Sequence, residues 1–192
     1  MGYGTELADH LGIGIGLKVV HVSLAPADVT QDQKKGAGTT FATDIGTLYK
    51  LPTLPGLKNV PTSFGLAIQN LGPKISYIDV DQADPLGRNV KLGMAVYPYS
   101  NEMFRTLVTT DVNRSLLPKS QWGDVVWNAG GEVEFNRLIA LRVGYIHDQR
   151  GTIVDPTFGL GLMLRGFRVD YANVPQSKFL GSVSRFSASY HF

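Results

Sequence analysis

Cysteine is absent from the 192 residues of the chain, and charge of either sign is sparse. The missing thiols exclude disulfide bonds, thiolate metal sites and cysteine nucleophiles. Lys and Arg number 18 against 16 Asp and Glu, and the resulting net charge of +2 is spread along the chain. That distribution lacks the basic patch of a nucleic-acid-binding protein, so we expect no nucleic-acid partner.

Long hydrophobic runs are absent as well, because no stretch approaches the roughly 18 consecutive apolar residues that a transmembrane helix needs. The residues from Met1 to Gly4 show neither the basic segment nor the apolar segment of a signal peptide. A mean hydropathy of −0.01 does not argue against insertion by strands, since alternation hides hydrophobicity from an average. The length predicts one domain, spanning residues 1–192.

Apolar and polar residues alternate with a period of two, which predicts β-strands. In the segment 11–19 the odd positions are Leu, Ile or Val, and the even positions are Gly or Lys. No segment has a persuasive 3.6-residue period, so we predict an all-β fold. The predicted strands lie within residues 11–19, 41–50, 64–69, 90–96, 104–112, 125–135, 139–145, 158–165, 167–171 and 186–192.

The C-terminal segment is the most informative of these strands. Phe186, Ala188, Tyr190 and Phe192 line one face, and the opposite face carries Ser and His. Such a strand, apolar and aromatic on one side only and ending on an aromatic residue, is typical of the closing strand of a transmembrane β-barrel.

The same segment resembles the signal that the barrel assembly machinery of the outer membrane reads. Arg185, Ser187, Tyr190 and Phe192 would form this signal, with Ser where Gly is commoner. The alternative is an ordinary edge strand that ends in an aromatic residue.

Connections between the predicted strands alternate in length. Short turns are predicted near residues 98–103, 136–137 and 166, and longer polar links at 25–35, 76–87, 115–123, 148–155 and 174–182. Strands of about 9–12 residues with short turns on one rim predict an antiparallel transmembrane β-barrel, here of about ten strands. The alternative is a soluble antiparallel sandwich or barrel, whose strands also alternate.

Charged residues concentrate on the polar side of these strands. The residues predicted to face the barrel lumen are Lys18, Asp44, Lys91, Glu132, Glu134, Arg142, Arg165, Arg168, Asp170 and Arg185. We favour ion pairs that hold the barrel interior together over a ligand path or a proton relay. Charge in a wet lumen is normal, whereas charge on the lipid face costs about 2–4 kcal/mol near the midplane.

No other residue pattern indicates chemistry. His10, His21, His147 and His191 lack ligand spacing. The acidic run 79–84 lacks the central Gly and the closing Glu of a calcium loop. No Ser lies in a Gly-x-Ser-x-Gly turn. We therefore predict a non-enzymatic protein without catalytic residues, metal site or cofactor.

Four segments are informative when taken in order: TDIGTLYK at 43–50, GLAIQNLGPKI at 65–75, LIALRVGY at 138–145 and FRVDYA at 167–172. Together they resemble the PorV/PorQ family of FadL-like outer-membrane barrels. The most specific piece is Asn70-Leu71-Gly72-Pro73. The chain lacks the family's N-terminal region, so we expect it to be the C-terminal portion of a longer, 14-stranded barrel protein.

The resemblance also implies a location and a role. Family members reside in the bacterial outer membrane and act in the type IX secretion system, where PorV-like members carry secreted cargo by its C-terminal sorting domain. The implied partners are outer-membrane lipid, cargo sorting domains and the secretion translocon. The alternative is a FadL-like channel for hydrophobic small molecules, which would need an apolar binding pocket and an N-terminal hatch.

Overall fold

A computed structural model describes residues 1–25, 36–53, 60–76, 83–117, 125–148, 151–177 and 181–190. All regular elements in these ranges are β-strands, which confirms the predicted all-β class. They are β1 (Gly2–Ala8), β2 (Leu11–Ala25), β3 (Gly36–Leu51), β4 (Thr62–Leu71), β5 (Asn89–Val96), β6 (Phe104–Ser115), β7 (Val125–Phe135), β8 (Ile139–Asp148), β9 (Ile153–Leu164), β10 (Phe167–Ser177) and β11 (Gly181–Tyr190). None of these ranges contains a helix long and apolar enough to cross a membrane.

The described strands form one sheet, in which each strand lies beside its neighbours in the chain in the order β1 to β11. The predicted count of about ten missed β1. This strand has only Tyr3 and Leu7 as large apolar residues, which is too few to give a period-two signal. Its ladder with β2, which places Tyr3 opposite Ile15, defines it instead.

The chain divides into two compact units. The first unit comprises Met1–Leu48, Leu66–Lys91 and Ser115–Ser120, and the second comprises Tyr49–Gly65, Leu92–Arg114 and Gln121–Phe192. The β1–β2 ladder belongs to the first unit, and the ladders from β7 to β11 belong to the second.

Strand register brings like residues together on each side of the sheet. In the second unit, Val133 lies opposite Leu141, and Leu141 lies opposite Leu160. One residue along, Glu132 lies opposite Arg142. Because side chains alternate between faces, this register gives the sheet an apolar face and a polar face.

Two hairpin turns of the second unit have the predicted short length. Asn136 and Arg137 between β7 and β8 have φ angles of 49° and 56°, and Arg165 and Gly166 between β9 and β10 have 49° and 86°. Two successive positive φ angles are typical of type I′ turns, whose twist matches that of the flanking strands. The prediction that Arg165 continues the polar face of a strand was wrong, because β9 ends at Leu164.

Buried apolar side chains are few among the described residues. Ala42, Ile75 and Leu86 form one cluster in the first unit, with the partly buried Val20 and Val22 packed against it. A soluble domain normally buries one face of each sheet against a second layer. Neither unit has such a layer over its apolar face within the described residues.

Candidate membrane-facing surface and polar face

Most large apolar side chains on the apolar face of the first unit are exposed. They include Tyr3, Ile13, Ile15, Leu17, Val19, Ile45 and Leu66. Val19 reaches 79% exposure. Between β1 and β4 this face forms an open hollow of about 450 Å³, in which Thr5 and Thr47 are the polar residues. The hollow therefore suits hydrocarbon better than water.

The apolar face of the second unit is exposed in the same way. Its exposed residues include Val108, Leu141, Val143, Phe158, Leu160, Leu162, Val169 and Phe186. Val143 and Phe158 are ladder partners, and Val143 is 61% exposed. Burying one such side chain contributes about 1.5–3 kcal/mol, so a face built of them is costly to keep in water.

An uncovered apolar face of this size is itself informative. Contiguous apolar patches beyond a few hundred Å² mark membrane or protein contacts in folded proteins. The exposed apolar face of each unit is therefore expected if lipid covers it.

Two aromatic pairs of the second unit lie at strand ends on the apolar face. Phe104 packs on Phe135 at 5.1 Å between ring centroids, and Phe167 packs on Tyr190 at 4.6 Å. Both pairs lie beside the short turns. Trp127 lies eight residues before Phe135 in β7, about 26 Å along the strand. Aromatic residues at both ends of an apolar band are typical of membrane interfaces.

Charge is almost confined to the polar face. In the described strands, every Asp, Glu and Lys occupies a position that strand alternation assigns to the polar face. The exception among Arg residues is Arg114, which shares the alternation of Val112 near the end of β6. A water-soluble sheet has no reason for such strict segregation on its uncovered side.

A chain of four charged side chains crosses the polar face of the second unit. The Nε of Arg142 lies 2.5 Å from Glu132 Oε2, and its Nη1 lies 2.6 Å from Asp170 Oδ1. The Nε of Arg168 lies 2.8 Å from the other Asp170 oxygen. The side chains of Glu132, Arg142 and Asp170 are only 21–25% exposed. These pairs therefore link strands β7, β8 and β10.

A glycine makes the link from β8 to β10 possible, because β9 lies between these strands. A Cβ atom at Gly161 would lie 2.7 Å from Asp170 Oδ1 and 3.0 Å from both Nη atoms of Arg142. Any side chain at this position would displace the ion pair. The glycines of the polar face thus provide space for longer charged residues from neighbouring strands.

Beside the ion pairs, the polar face of the second unit forms an open cleft of about 370 Å³. Asp111, Glu132 and Arg142 line the cleft, and Asn128 Nδ2 donates a hydrogen bond of 2.9 Å to Asp111 Oδ1. Charged and amide groups of this kind hold water or polar solutes.

The polar face of the first unit has its own network. Lys18 Nζ lies 2.9 Å from Asp44 Oδ2 and donates a hydrogen bond of 2.6 Å to Asn70 Oδ1. The backbone N–H of Asn70 donates to Asp44 Oδ1 at 2.9 Å. The sequence pattern predicted Lys18 and Asp44 on this face but not the contribution of Asn70. Asn70 has a left-handed φ of 60°, a conformation that Asn tolerates. The available signal in the sequence was Asn70-Leu71-Gly72-Pro73, the most specific piece of the family resemblance.

The remaining predicted charges lie apart from these networks. Glu134 is opposite Arg105 across the β6–β7 ladder. Lys91 and Arg185 are exposed on polar-face positions, and Arg165 lies in the β9–β10 turn.

The residues predicted to form the assembly signal lie on β11, as far as they are described. Arg185 and Ser187 share the polar face with Arg168 and Asp170, since Ser187 pairs with Asp170. Tyr190 is on the apolar face, where it contacts Phe167. Phe192 lies outside the described residues.

Among the described residues, no group of three or more His, Asp or Glu could hold a metal ion. The acidic run at 79–84 is described only at 83 and 84. The described residues thus present apolar side chains on one face of the sheet and charged and amide groups on the other.

Replacing Arg142 with Met tests the ion-pair chain. The change leaves the carboxylates of Glu132 and Asp170 partly buried without their shared cation, so we expect the free energy of unfolding in lipid vesicles to fall by about 1.5–3 kcal/mol. Urea titration of the refolded protein measures it. The control is Lys91→Met at an exposed position, for which we expect a change within about 0.5 kcal/mol. Equal effects of the two variants would contradict the structural role of Arg142.

Comparison with known proteins gives no family assignment. No protein-family model matches the chain, and no curated protein matches it. The function is therefore inferred from the two faces of the sheet and from the resemblance of its strands.

Proposed function

We propose that the protein is a non-enzymatic β-barrel of the bacterial outer membrane. The observation that carries the proposal is the uncovered apolar face of each unit, which lies opposite a face that holds the charged residues. On this proposal the apolar face contacts lipid and the polar face lines a lumen.

The physical argument begins with the backbone. Lipid provides no hydrogen-bond partners, so a strand can enter it only when its N–H and C=O groups bond to neighbouring strands. In the second unit, each strand from β6 to β10 is joined to the next by a ladder of seven to eleven residue pairs. The apolar face then gains free energy in hydrocarbon, while the charged face requires water.

A matched pair of substitutions in β6 tests this proposal. Val108 lies on the apolar face and Thr109 on the polar face beside Asp111, both in the middle of the strand. We expect Val108→Arg to destabilise the inserted protein by about 2–4 kcal/mol and Thr109→Arg to have little effect. The folded fraction in lipid vesicles, measured by heat-modifiable migration on a detergent gel, distinguishes them.

The opposite ranking would contradict the membrane proposal. In a soluble β protein, Val108→Arg adds a charge at an exposed position and is tolerated, whereas Thr109→Arg alters a partly buried one. Migration that does not change on boiling, with the wild-type protein in the soluble fraction, would also contradict it.

We further propose that the barrel serves the type IX secretion system and handles cargo through C-terminal sorting domains. The support is the resemblance to the PorV/PorQ family, above all at Asn70-Leu71-Gly72-Pro73. In the first unit, this segment is joined to Lys18 and Asp44 by hydrogen bonds. The connections around 25–35 and 115–123 would contact cargo or other components, and most of these residues lie outside the described ranges.

Affinity purification from detergent-solubilised outer membranes tests this role. We expect co-eluting proteins, identified by mass spectrometry, to share a C-terminal β-sandwich sorting domain or to include the secretion translocon. An unrelated outer-membrane barrel with the same tag serves as the control and should retain neither. Purification of the protein with only a bound fatty acid would contradict the secretion role and favour the FadL-like channel.

A further inference from the structure

The connection between β4 and β5 covers part of the polar face of the first unit. Its described residues are 72–76 and 83–88, called the inner connection below. Ile75 and Leu86 of this connection are 3% and 7% exposed, and they bury Ala42 of β3 to 1%. The sequence predicts residues 76–87 as a long polar link between two strands. The described part of this link lies against the sheet.

Strand alternation identifies the covered face. Ala42 shares the alternation of Asp44 in β3, and Val20 shares that of Lys18 in β2. Lys18 and Asp44 form the ion pair of the polar face. The apolar cluster therefore lies on the side of the sheet that carries charge, next to the Lys18–Asp44 pair.

Two glycines bring the backbone of the inner connection directly onto β3. A Cβ atom at Gly72 would collide with the carbonyl oxygen of Phe41 and lie 3.1 Å from the Leu86 side chain. A Cβ atom at Gly38 would collide with the carbonyl oxygen of Ser76. By contrast, a Cβ atom at Gly87 would meet nothing within 4 Å. Close packing, and not a special φ angle, requires Gly72 and Gly38.

Polar contacts hold both ends of the inner connection. Asn70 Nδ2 donates to the Gly87 carbonyl at 2.8 Å, and Arg88 Nη2 donates to the Gly72 carbonyl at 2.7 Å. Ile75 and Asp84 exchange two backbone hydrogen bonds of 2.8 Å. The two ends of the connection are thus tied to each other, and its Gly87 end is also tied to Asn70 of β4.

We propose that the inner connection is a constriction inside the barrel, which fills part of the lumen of the first unit and restricts the passage of hydrophilic solutes. This inference rests on the proposed membrane barrel, since the polar face is a lumen only in that arrangement. It goes beyond that proposal because it assigns a segment that limits permeation. The inner connection is held in place by apolar contacts, by close backbone packing at two glycines and by hydrogen bonds. It therefore forms a fixed obstruction.

Conductance in planar lipid bilayers bathed in potassium chloride tests the constriction. The Gly72→Ala variant forces the connection away from Phe41, so we expect its conductance to rise several-fold above that of the wild type. The Gly87→Ala variant adds the same methyl group in open space and should conduct like the wild type. Ile75→Asn, which places an amide in the apolar cluster, gives a second way to loosen the connection if Gly72→Ala does not fold.

Cysteine labelling shows independently whether the connection covers the polar face, because the chain has no cysteine of its own. With a water-soluble maleimide, we expect an Ala42→Cys variant to react slowly and a Leu48→Cys variant, at an exposed position of the same face, to react fast. Adding Gly72→Ala should accelerate labelling at position 42.

The outcomes separate the two proposals. Equal labelling rates at positions 42 and 48 in the otherwise wild-type protein would overturn the constriction. The constriction would also be overturned if Gly72→Ala made position 42 reactive but left the conductance unchanged. Failure of the wild-type protein to insert into bilayers would instead overturn the membrane barrel, while the labelling comparison would still measure coverage of the polar face.

Discussion

Segregation of apolar and charged side chains onto opposite faces of a single sheet is the constraint on which the rest of the structure depends. Neither unit has a second layer over its apolar face within the described residues, so residues such as Val19 and Val143 remain exposed. The hydrophobic effect cannot stabilise such a face in water. In lipid the same face is satisfied, and the strand ladders satisfy the backbone.

The polar face must then stabilise itself by other means. In the second unit, Arg142 connects Glu132 and Asp170 over Gly161, and these ion pairs join three strands. The first unit combines the Lys18–Asp44 pair with an apolar cluster beneath the inner connection. Glycine serves both arrangements, since it leaves space for a guanidinium in one and for a backbone in the other.

Much of the fold follows from the period-two pattern, because side-chain alternation alone assigns Glu132, Arg142 and Asp170 to one face. The alternation within one segment does not show which strand pairs with it. The pattern therefore missed β1, a strand defined by its ladder with β2. It predicted the short turn near residue 166 but extended β9 by one residue to Arg165, because alternation alone does not show where a strand gives way to two positive φ angles. The packing of Ile75 and Leu86 on Ala42 is a tertiary contact between segments more than thirty residues apart in sequence, which no periodicity encodes.

Contact between the apolar face and lipid acyl chains is the central claim, and Trp127 offers a direct probe of it. This residue is exposed on the apolar face of β7, and the other tryptophan of the chain, Trp122, can be replaced by Phe. The measurement is fluorescence quenching by lipids brominated on their acyl chains, using the Trp122→Phe protein refolded in vesicles. The account predicts strong quenching by these lipids and weak quenching by aqueous iodide. Strong iodide quenching without any effect of brominated lipid would contradict it.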